Sequence, residues 1–212
     1  LLYGDGGEGP VPGHNSQDFF ENWLAHGTGG TCWATTHALH DLLSELSFPT
    51  TRGTGTMLAA PGVVGPTHGT AIVTLEDRQY IVDGSMQTEQ PFLIQEGGAP
   101  GTGHPASRIR LENNEGLWHV LWHPPHRIEG LWCRIEQMDV PVAEFDGYHD
   151  RTRTSSLFNA ALYIRLNQPE RVNTIAFGER VTVGEDGQAR KSDLPVGDRV
   201  QVMIEEFGIS EE

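Results

Sequence analysis

Basic residues are scarce in this chain of 212 residues: 14 Lys and Arg stand against 29 Asp and Glu, which leaves a net charge of −15 at pH 7. A charge of this sign and size repels the phosphates of nucleic acids and the headgroups of anionic lipids. Long apolar runs are missing as well, since no stretch approaches the roughly 18 residues that span a bilayer. We therefore expect neither a nucleic-acid partner nor a membrane partner.

Cysteine is nearly absent too. Only Cys32 and Cys133 occur, which is not the disulfide framework of a small secreted protein, although one bridge between them remains possible. Residues 1–15 are rich in Gly and Pro and contain neither the basic segment nor the apolar core of a signal peptide. These features favour a cytoplasmic protein.

Two helices are predicted in the first quarter of the chain. Ser16 is the expected N-cap of the first, whose apolar face is formed by Phe19, Phe20, Trp23 and Leu24. Apolar residues at helical spacing predict a second helix that starts at about Cys32 and stops before Pro49. Cys32 would therefore lie at a helix N-terminus.

Beyond Pro49 the pattern changes to short strands. The segments "TAIVTL" and "RQYIVDG" flank Glu76 and Asp77, and "RIRLEN" and "LWHVLWH" flank a turn near residues 114–116, so each pair predicts an antiparallel hairpin. Further strand candidates are "LWCRIEQM", "ALYIRL", "VNTIAFG" and "ERVTVG". A helical connector is expected at "DRTRTSSLFNA", and a final helix at "VGDRVQVMIEEFGI". The many short strands from about residue 50 to 140 favour a small barrel or a strongly curved sheet, and hence an α+β fold.

Cys32 has the surroundings that a nucleophile needs. The N-terminus of a helix carries a partial positive charge and unpaired backbone N–H groups, which stabilise a thiolate. Gly29 and Gly30 add no side-chain bulk before it, so a substrate carbonyl can approach. The alternative is a buried structural cysteine. Cys133 lies in an apolar strand pattern and is predicted to belong to the core.

A base and an orienting carboxylate are available for this thiol. His68 immediately precedes one strand of the first predicted hairpin, and Asp83 ends the other strand. Both lie at the end of the hairpin opposite its turn, so they can be neighbours on adjacent strands. Cys32, His68 and Asp83 would then form a catalytic triad. Taken singly, a loop histidine and a turn-forming aspartate are the alternative interpretations.

Other histidines are weaker candidates for chemistry. His37 and His40 lie one turn apart and could bind a metal with Cys32 or His26. A second group, in "LWHVLWHPPH", consists of His119, His123 and His126. Because His119 and His123 lie among Trp and Leu, partly buried structural roles are favoured for them, and no metal is expected at either group.

Three motifs resemble those of the arylamine N-acetyltransferases, within the wider transglutaminase-like cysteine superfamily. They are "GGTC" ending at Cys32, "THGTAIVTL" with His68, and "RQYIVDG" with Asp83, separated by 36 and 15 residues. The resemblance extends weakly to residue 212. It implies an α+β fold with a reduced helical region at 1–48 that carries the nucleophile, an antiparallel β-barrel at 49–150, and a C-terminal α/β lid at 151–212.

The same resemblance implies a function. An acyl group, expected to be acetyl, would pass from a CoA thioester to an arylamine or hydrazine-like amine through an acyl-cysteine. Acetyl-CoA would be a co-substrate near Gly65 and Ser85, with no tightly bound cofactor. Thr28, Ala34 and Thr36 stand where the family usually has Arg, a polar residue and Asn. An amide synthase, a transglutaminase-like hydrolase and a non-catalytic binding module are the alternatives.

Overall fold

The computed structural model describes residues 9–87, 90–95, 104, 106 and 108–210. Helices α1 (Ser16–His26) and α2 (Cys32–Glu45) come first, as predicted. The predicted N-cap of α1 was wrong by one residue. Asn15 has the extended backbone of a cap, and its side chain accepts a hydrogen bond from the Asp18 N–H at 2.8 Å. Ser16 instead donates its hydroxyl to Asp41 Oδ2 at 2.6 Å, which ties α1 to α2.

A seven-stranded antiparallel sheet forms the centre of the molecule. Its strands are β1 (Thr50–Met57), β2 (His68–Leu75), β3 (Arg78–Val82), β4 (Phe92–Leu93), β5 (Ile109–Asn114), β6 (Leu117–Trp122) and β7 (Leu131–Gln137). Their spatial order is β4-β3-β2-β1-β7-β6-β5, so β4 and β5 are the edges of a curled half-barrel. The helices and this antiparallel sheet confirm the α+β prediction.

The two predicted hairpins are present. Leu75 pairs with Arg78 across a two-residue turn in which Glu76 and Asp77 both have positive φ, as tight hairpin turns require. In the second hairpin β5 pairs with β6 across residues 115–116. Because the first turn sets the register of β2 against β3, it also decides which residues meet at the open end of that hairpin.

Strand β1 lies between β2 and β7 at the middle of the sheet, although its sequence "TTRGTGTM" carries no apolar alternation. Its glycines allow close approach. A Cβ at Gly53 would lie 3.1 Å from the Thr70 side chain, and one at Gly55 would lie 2.7 Å from Cys133 Sγ and 2.9 Å from the Arg134 carbonyl oxygen. The neighbouring strands can therefore pack tightly over a stretch that looks like a loop in sequence.

The hydrophobic core lies mainly on the sheet. Its buried members are Ile72, Ile81, Met86, Phe92, Ile109, Leu111, Val120, Trp122, Cys133 and Ile135. A smaller cluster of Trp33, Val140 and Phe145 joins the start of α2 to α3 (Val142–Ser155). Phe145 is completely buried, with the Trp33 ring at 5.0 Å between centroids in an edge-on contact. This cluster holds the beginning of α2 in place.

The C-terminal part forms a second, four-stranded antiparallel sheet. Its strands are β8 (Tyr163–Gln168), β9 (Arg171–Ala176), β10 (Glu179–Gly184) and β11 (Ala189–Asp193), and α4 (Arg199–Phe207) follows. The elements succeed one another in the order of the three predicted regions, and the boundaries of those regions stay predictions. None of the described helices is both long enough and apolar enough to cross a bilayer.

Candidate active site

Cys32 is the first residue of α2, directly after the extended residue Thr31. Within the part of the chain that the structure describes, the Thr31 side chain makes no capping hydrogen bond to this helix. The backbone N–H groups of the first turn therefore remain available to a negative charge near the cysteine. The thiol is partly buried and packs against the cluster that contains Trp33 and Phe145.

The two glycines before Cys32 have different surroundings. A Cβ at Gly29 would meet open space, so this side of the approach to Cys32 is unobstructed. A Cβ at Gly30 would lie 2.8 Å from Ala34 Cβ and 2.9 Å from the Phe19 ring. Only Gly29 thus fits the expectation of an open approach, whereas Gly30 allows α1 to pack against α2.

His68 begins β2, and Asp83 immediately follows β3. Ala71 pairs with Val82. At the next position towards the open end of the hairpin, Thr70 therefore lies opposite Asp83. His68 is two residues from Thr70 and therefore projects from the same face. The structure brings the two side chains together: His68 Nε2 and Asp83 Oδ2 are 2.7 Å apart, and both side chains are buried.

The other carboxylate oxygen of Asp83 is held by the turn that follows it. Asp83 Oδ1 accepts hydrogen bonds from the Ser85 N–H at 3.0 Å, the Ser85 hydroxyl at 2.7 Å and the Met86 N–H at 2.8 Å. Three donors on one oxygen leave the second oxygen directed at His68. The carboxylate is therefore oriented as the third member of a triad must be.

The charges of this pair support each other. Burial disfavours the imidazolium of His68, but the charge of Asp83, that of Cys32 and the hydrogen bond to Asp83 outweigh it and raise the pKa of His68 well above 6.5. Burial likewise opposes the ionisation of Asp83, yet the charge and hydrogen bond of His68 and the donors of the turn lower the pKa of this carboxyl. The favoured state is therefore an imidazolium–carboxylate pair.

The charges of Cys32 and of the buried Cys133 both contribute to the raised pKa of His68, so this effect does not distinguish the two thiols. Packing brings the start of α2 close to His68. A Cβ on Gly69, the residue after His68, would lie 2.7 Å from the Phe145 ring and 2.9 Å from the Trp33 ring. The start of β2 thus lies directly against the start of α2, and a side chain at position 69 would separate them.

The second thiol is placed differently. Cys133 is completely buried in β7, as its apolar sequence pattern predicted, and burial raises the pKa of its thiol to about 12. At neutral pH such a thiol is protonated and shielded, so it is a poor nucleophile. Both cysteines are free, and the bridge that the sequence left open does not form in this structure.

The two residues expected near CoA have different positions. Gly65 lines a cleft, and a Cβ there would overlap the Thr56 hydroxyl. Ser85 lies on the turn after β3 and uses both its N–H and its hydroxyl to bind Asp83. A part for either residue in binding CoA stays a prediction.

The cleft that Gly65 lines has a volume of about 520 Å³. Its walls are formed by Val63, Val64, Gly65, Pro66, Arg134, Glu136, Gln137 and Tyr148. Tyr148 connects it to the nucleophile, since its ring stacks on Trp33 with 5.9 Å between centroids. The Arg151 guanidinium also lies over this ring, 4.5 Å from its centroid. Sequence reasoning missed Tyr148, because no local pattern distinguishes it within α3.

The histidines that the sequence suggested as metal ligands do not gather into a metal site among the described residues. Within the described ranges, no group of three or more His, Cys, Asp or Glu side chains could hold a metal ion. His37 is buried edge-on to Phe145, 5.8 Å from the His149 ring, and burial lowers the pKa of both histidines to about 4. They are uncharged at neutral pH and pack as core residues.

Comparison with known proteins agrees with this geometry. A family model described as N-acetyltransferase matches residues 14–212. Curated protein sequences give no match. Among solved structures, the arylamine N-acetyltransferase of Nocardia farcinica has a TM-score of 0.82 at 21% identity, over 96% of this chain and 75% of that one. The arylamine N-acetyltransferase of Mycobacterium tuberculosis has a TM-score of 0.79 at 19% identity, over 94% of this chain and 76% of that one.

The arylamine N-acetyltransferase of Mycobacterium marinum, solved in complex with CoA, has a TM-score of 0.77 at 18% identity and covers 94% of this chain and 77% of its own. Identities this low show a shared fold. The family model is the finding that assigns membership, since it spans nearly the whole chain, from before α1 to the C-terminus. This chain belongs to the arylamine N-acetyltransferase family of enzymes.

Proposed function

We propose that this enzyme transfers an acetyl group from acetyl-CoA to an arylamine or a hydrazine-like amine through an acetyl-Cys32 intermediate. The observation that carries the proposal is the buried His68–Asp83 pair, joined at 2.7 Å beside a cysteine at a helix N-terminus. The pair stabilises a thiolate by placing an imidazolium next to it. The membership of the chain in an acetyltransferase family supports the nature of the donor.

The first half-reaction forms a thioester on the enzyme. In the resting enzyme His68 already holds the proton of the Cys32 thiol, and the thiolate sulfur attacks the carbonyl carbon of the donor. The oxyanion that develops is stabilised by backbone N–H groups at the start of α2. The bond between the carbonyl carbon and the CoA sulfur then breaks, His68 returns the proton to the departing thiolate, and acetyl-Cys32 remains.

The second half-reaction releases the acetyl group. The amine nitrogen attacks the carbonyl carbon of acetyl-Cys32, and His68 accepts the proton that the nitrogen loses. The bond to the Cys32 sulfur breaks and the amide leaves. Asp83 stabilises the imidazolium in both halves and holds the ring in one orientation. The cleft lined by Tyr148 and Gly65 is the proposed place for the substrates, since Tyr148 stacks on Trp33, the residue after Cys32.

The test is a trapping experiment. Acetyl-CoA without amine should leave one acetyl group on the protein, located on Cys32 by peptide mapping, and an arylamine or hydrazide should then discharge it. Cys32→Ala should form no adduct, whereas Cys133→Ala is the matched control and should behave like the wild type. With both substrates, donor and amine should give parallel lines in double-reciprocal plots.

Other results would contradict the proposal. An adduct that water discharges as fast as the amine does would indicate a hydrolase. An adduct only with longer or carrier-bound acyl thioesters would indicate an amide synthase, and Thr28, Ala34 and Thr36 make this donor panel necessary. No adduct with any thioester would leave a binding module of the same fold.

A further inference from the structure

Arg165 is a buried cation on β8 of the second sheet, only 9% exposed. Among the residues that the structure describes, no carboxylate pairs with it. Its guanidinium donates instead to the carbonyl oxygens of Met86 at 3.3 Å and Ala106 at 3.2 Å, and to Asn167 Oδ1 at 2.9 Å. Hydrogen bonds to two backbone carbonyls and one side-chain amide, rather than a carboxylate, thus stabilise the buried guanidinium.

Burying this charge costs stability compared with an apolar side chain at the same position. Burial of the charge lowers the pKa of Arg165 to about 10, so the side chain remains protonated at neutral pH and its desolvation must be offset by the groups around it. An apolar side chain of similar volume would fill the same space without that cost. The feature therefore calls for a role besides filling the core.

Asn167 also binds the chain after β3, next to the carbonyl that Arg165 binds. It lies two residues further along β8, on the same face as Arg165, and its side-chain amide donates to the Gln87 carbonyl oxygen at 3.0 Å. Arg165 and Asn167 thus bind consecutive carbonyls, those of Met86 and Gln87, on the turn that follows β3. The link joins the C-terminal sheet to the central sheet across about 80 residues of sequence.

The bound turn is the one that orients Asp83. Its Ser85 and Met86 N–H groups and the Ser85 hydroxyl hold Asp83 Oδ1, while Oδ2 receives His68 at 2.7 Å. If the turn shifts, the carboxylate rotates and the hydrogen bond to His68 lengthens. A change at Arg165 would therefore reach the imidazole through two intermediate residues, Met86 and Asp83.

We infer that Arg165 is a positioning residue of the active site, which acts from the C-terminal sheet through the turn 84–87 to keep Asp83 directed at His68. The inference rests on the proposed function, because it assumes that His68 activates Cys32. It assigns the C-terminal sheet a part in the chemistry that does not require contact with a substrate.

The test compares Arg165→Met, which keeps most of the side-chain volume, with Arg165→Lys and with Arg171→Met. Arg171 is an exposed arginine on the neighbouring strand β9 and serves as the matched control. The readouts are the pH profile of Cys32 alkylation by iodoacetamide and the ¹⁵N titration of the His68 ring. Neither requires an acyl donor or an amine.

We expect Arg165→Met to shift the titration of His68 to lower pH and to slow alkylation at neutral pH by about tenfold, since weaker support from Asp83 makes the imidazolium less stable. Arg165→Lys should recover part of the effect, because an ammonium can still bind one carbonyl. Asn167→Ala should shift the titration in the same direction by a smaller amount, and Arg171→Met should match the wild type.

A folded Arg165→Met variant with the wild-type pH profile would overturn the inference. If that variant does not fold, Asn167→Ala decides the question by the same readout. In an Asp83→Asn background Arg165→Met should have no further effect on the profile, whereas a general structural role would give additive effects. The proposed function fails separately if His68→Ala leaves alkylation unchanged.

Discussion

At the scale of single residues, the charges of the buried His68 and Asp83 are coupled through a contact of 2.7 Å. Because the pKa of His68 is raised in the folded protein, its contribution to stability is fully present below pH 6.5 and is lost as the pH rises through the folded value. Asp83 has the opposite sign: its pKa is lowered, so its contribution is lost as the pH falls through that lowered value. The pair therefore stabilises the fold most at pH values between the ordinary pKa of an aspartate and that of a histidine.

His68→Gln tests this at one position. The free energy of unfolding of the wild type should exceed that of the variant by on the order of 2 kcal/mol at pH 6, and the difference should shrink as the pH rises through the folded pKa of His68. Urea denaturation from pH 6 to 10 measures it. In an Asp83→Asn background the difference should lose most of its pH dependence. A difference that stays constant with pH would show that the pair is not ionised.

At the scale of secondary structure, the start of α2 depends on how closely α1 and β2 can approach it. Gly30 and Gly69 each lie where a Cβ would come within 3 Å of rigid neighbours, Ala34 and Phe19 in one case and Trp33 and Phe145 in the other. Gly69 directly follows His68, and Gly30 lies two residues before Cys32. The packing of three elements thus determines where the Cys32 thiol lies relative to the His68 ring.

Gly30→Ala should lower the free energy of unfolding by about 1–3 kcal/mol, because the added methyl group would overpack the contact between α1 and α2. Gly29→Ala is the matched control: its Cβ would meet open space, so its stability should be unchanged or slightly increased. Urea denaturation of both variants checks this pair. Equal losses of stability would mean that the loop before Cys32 is not held as the structure describes.

For the whole molecule, the dominant property is the net charge of −15 at pH 7. Like charges on one compact body repel one another. Exposed ion pairs such as Arg110–Glu112 and Arg190–Asp186 offset this by at most about 1 kcal/mol each. Self-repulsion should therefore be the larger effect of salt on stability.

Raising NaCl from about 0.02 M to about 0.5 M should thus increase the free energy of unfolding at pH 7.5, since it shortens the screening length well below the size of the protein. At pH 5, close to the isoelectric point of about 5.0, the same change should have little effect. Urea denaturation at both pH values makes the comparison. Destabilisation by salt at pH 7.5 would show that the ion pairs outweigh the repulsion.

Several features of the fold were predictable because they depend on neighbours in sequence. The helical spacing of apolar residues located α2, and alternation around the turn at Glu76 and Asp77 located the hairpin of β2 and β3. Strand β1 was not predicted, since Gly and Thr in alternation lack the apolar pattern of a central strand. Its pairing with β2 and β7 depends on the room that Gly53 and Gly55 leave for distant side chains.

The sequence by itself determined the candidates of the active site: a cysteine at a helix start, and a histidine and an aspartate at the same end of one hairpin. Helix position and hairpin register follow local rules, so they can be read from short segments. Only the tertiary structure decided that Tyr148 stacks on Trp33 and that Arg165 of the second sheet holds the turn after β3. These contacts join segments far apart in the chain, and their formation depends on how the elements pack rather than on any local pattern.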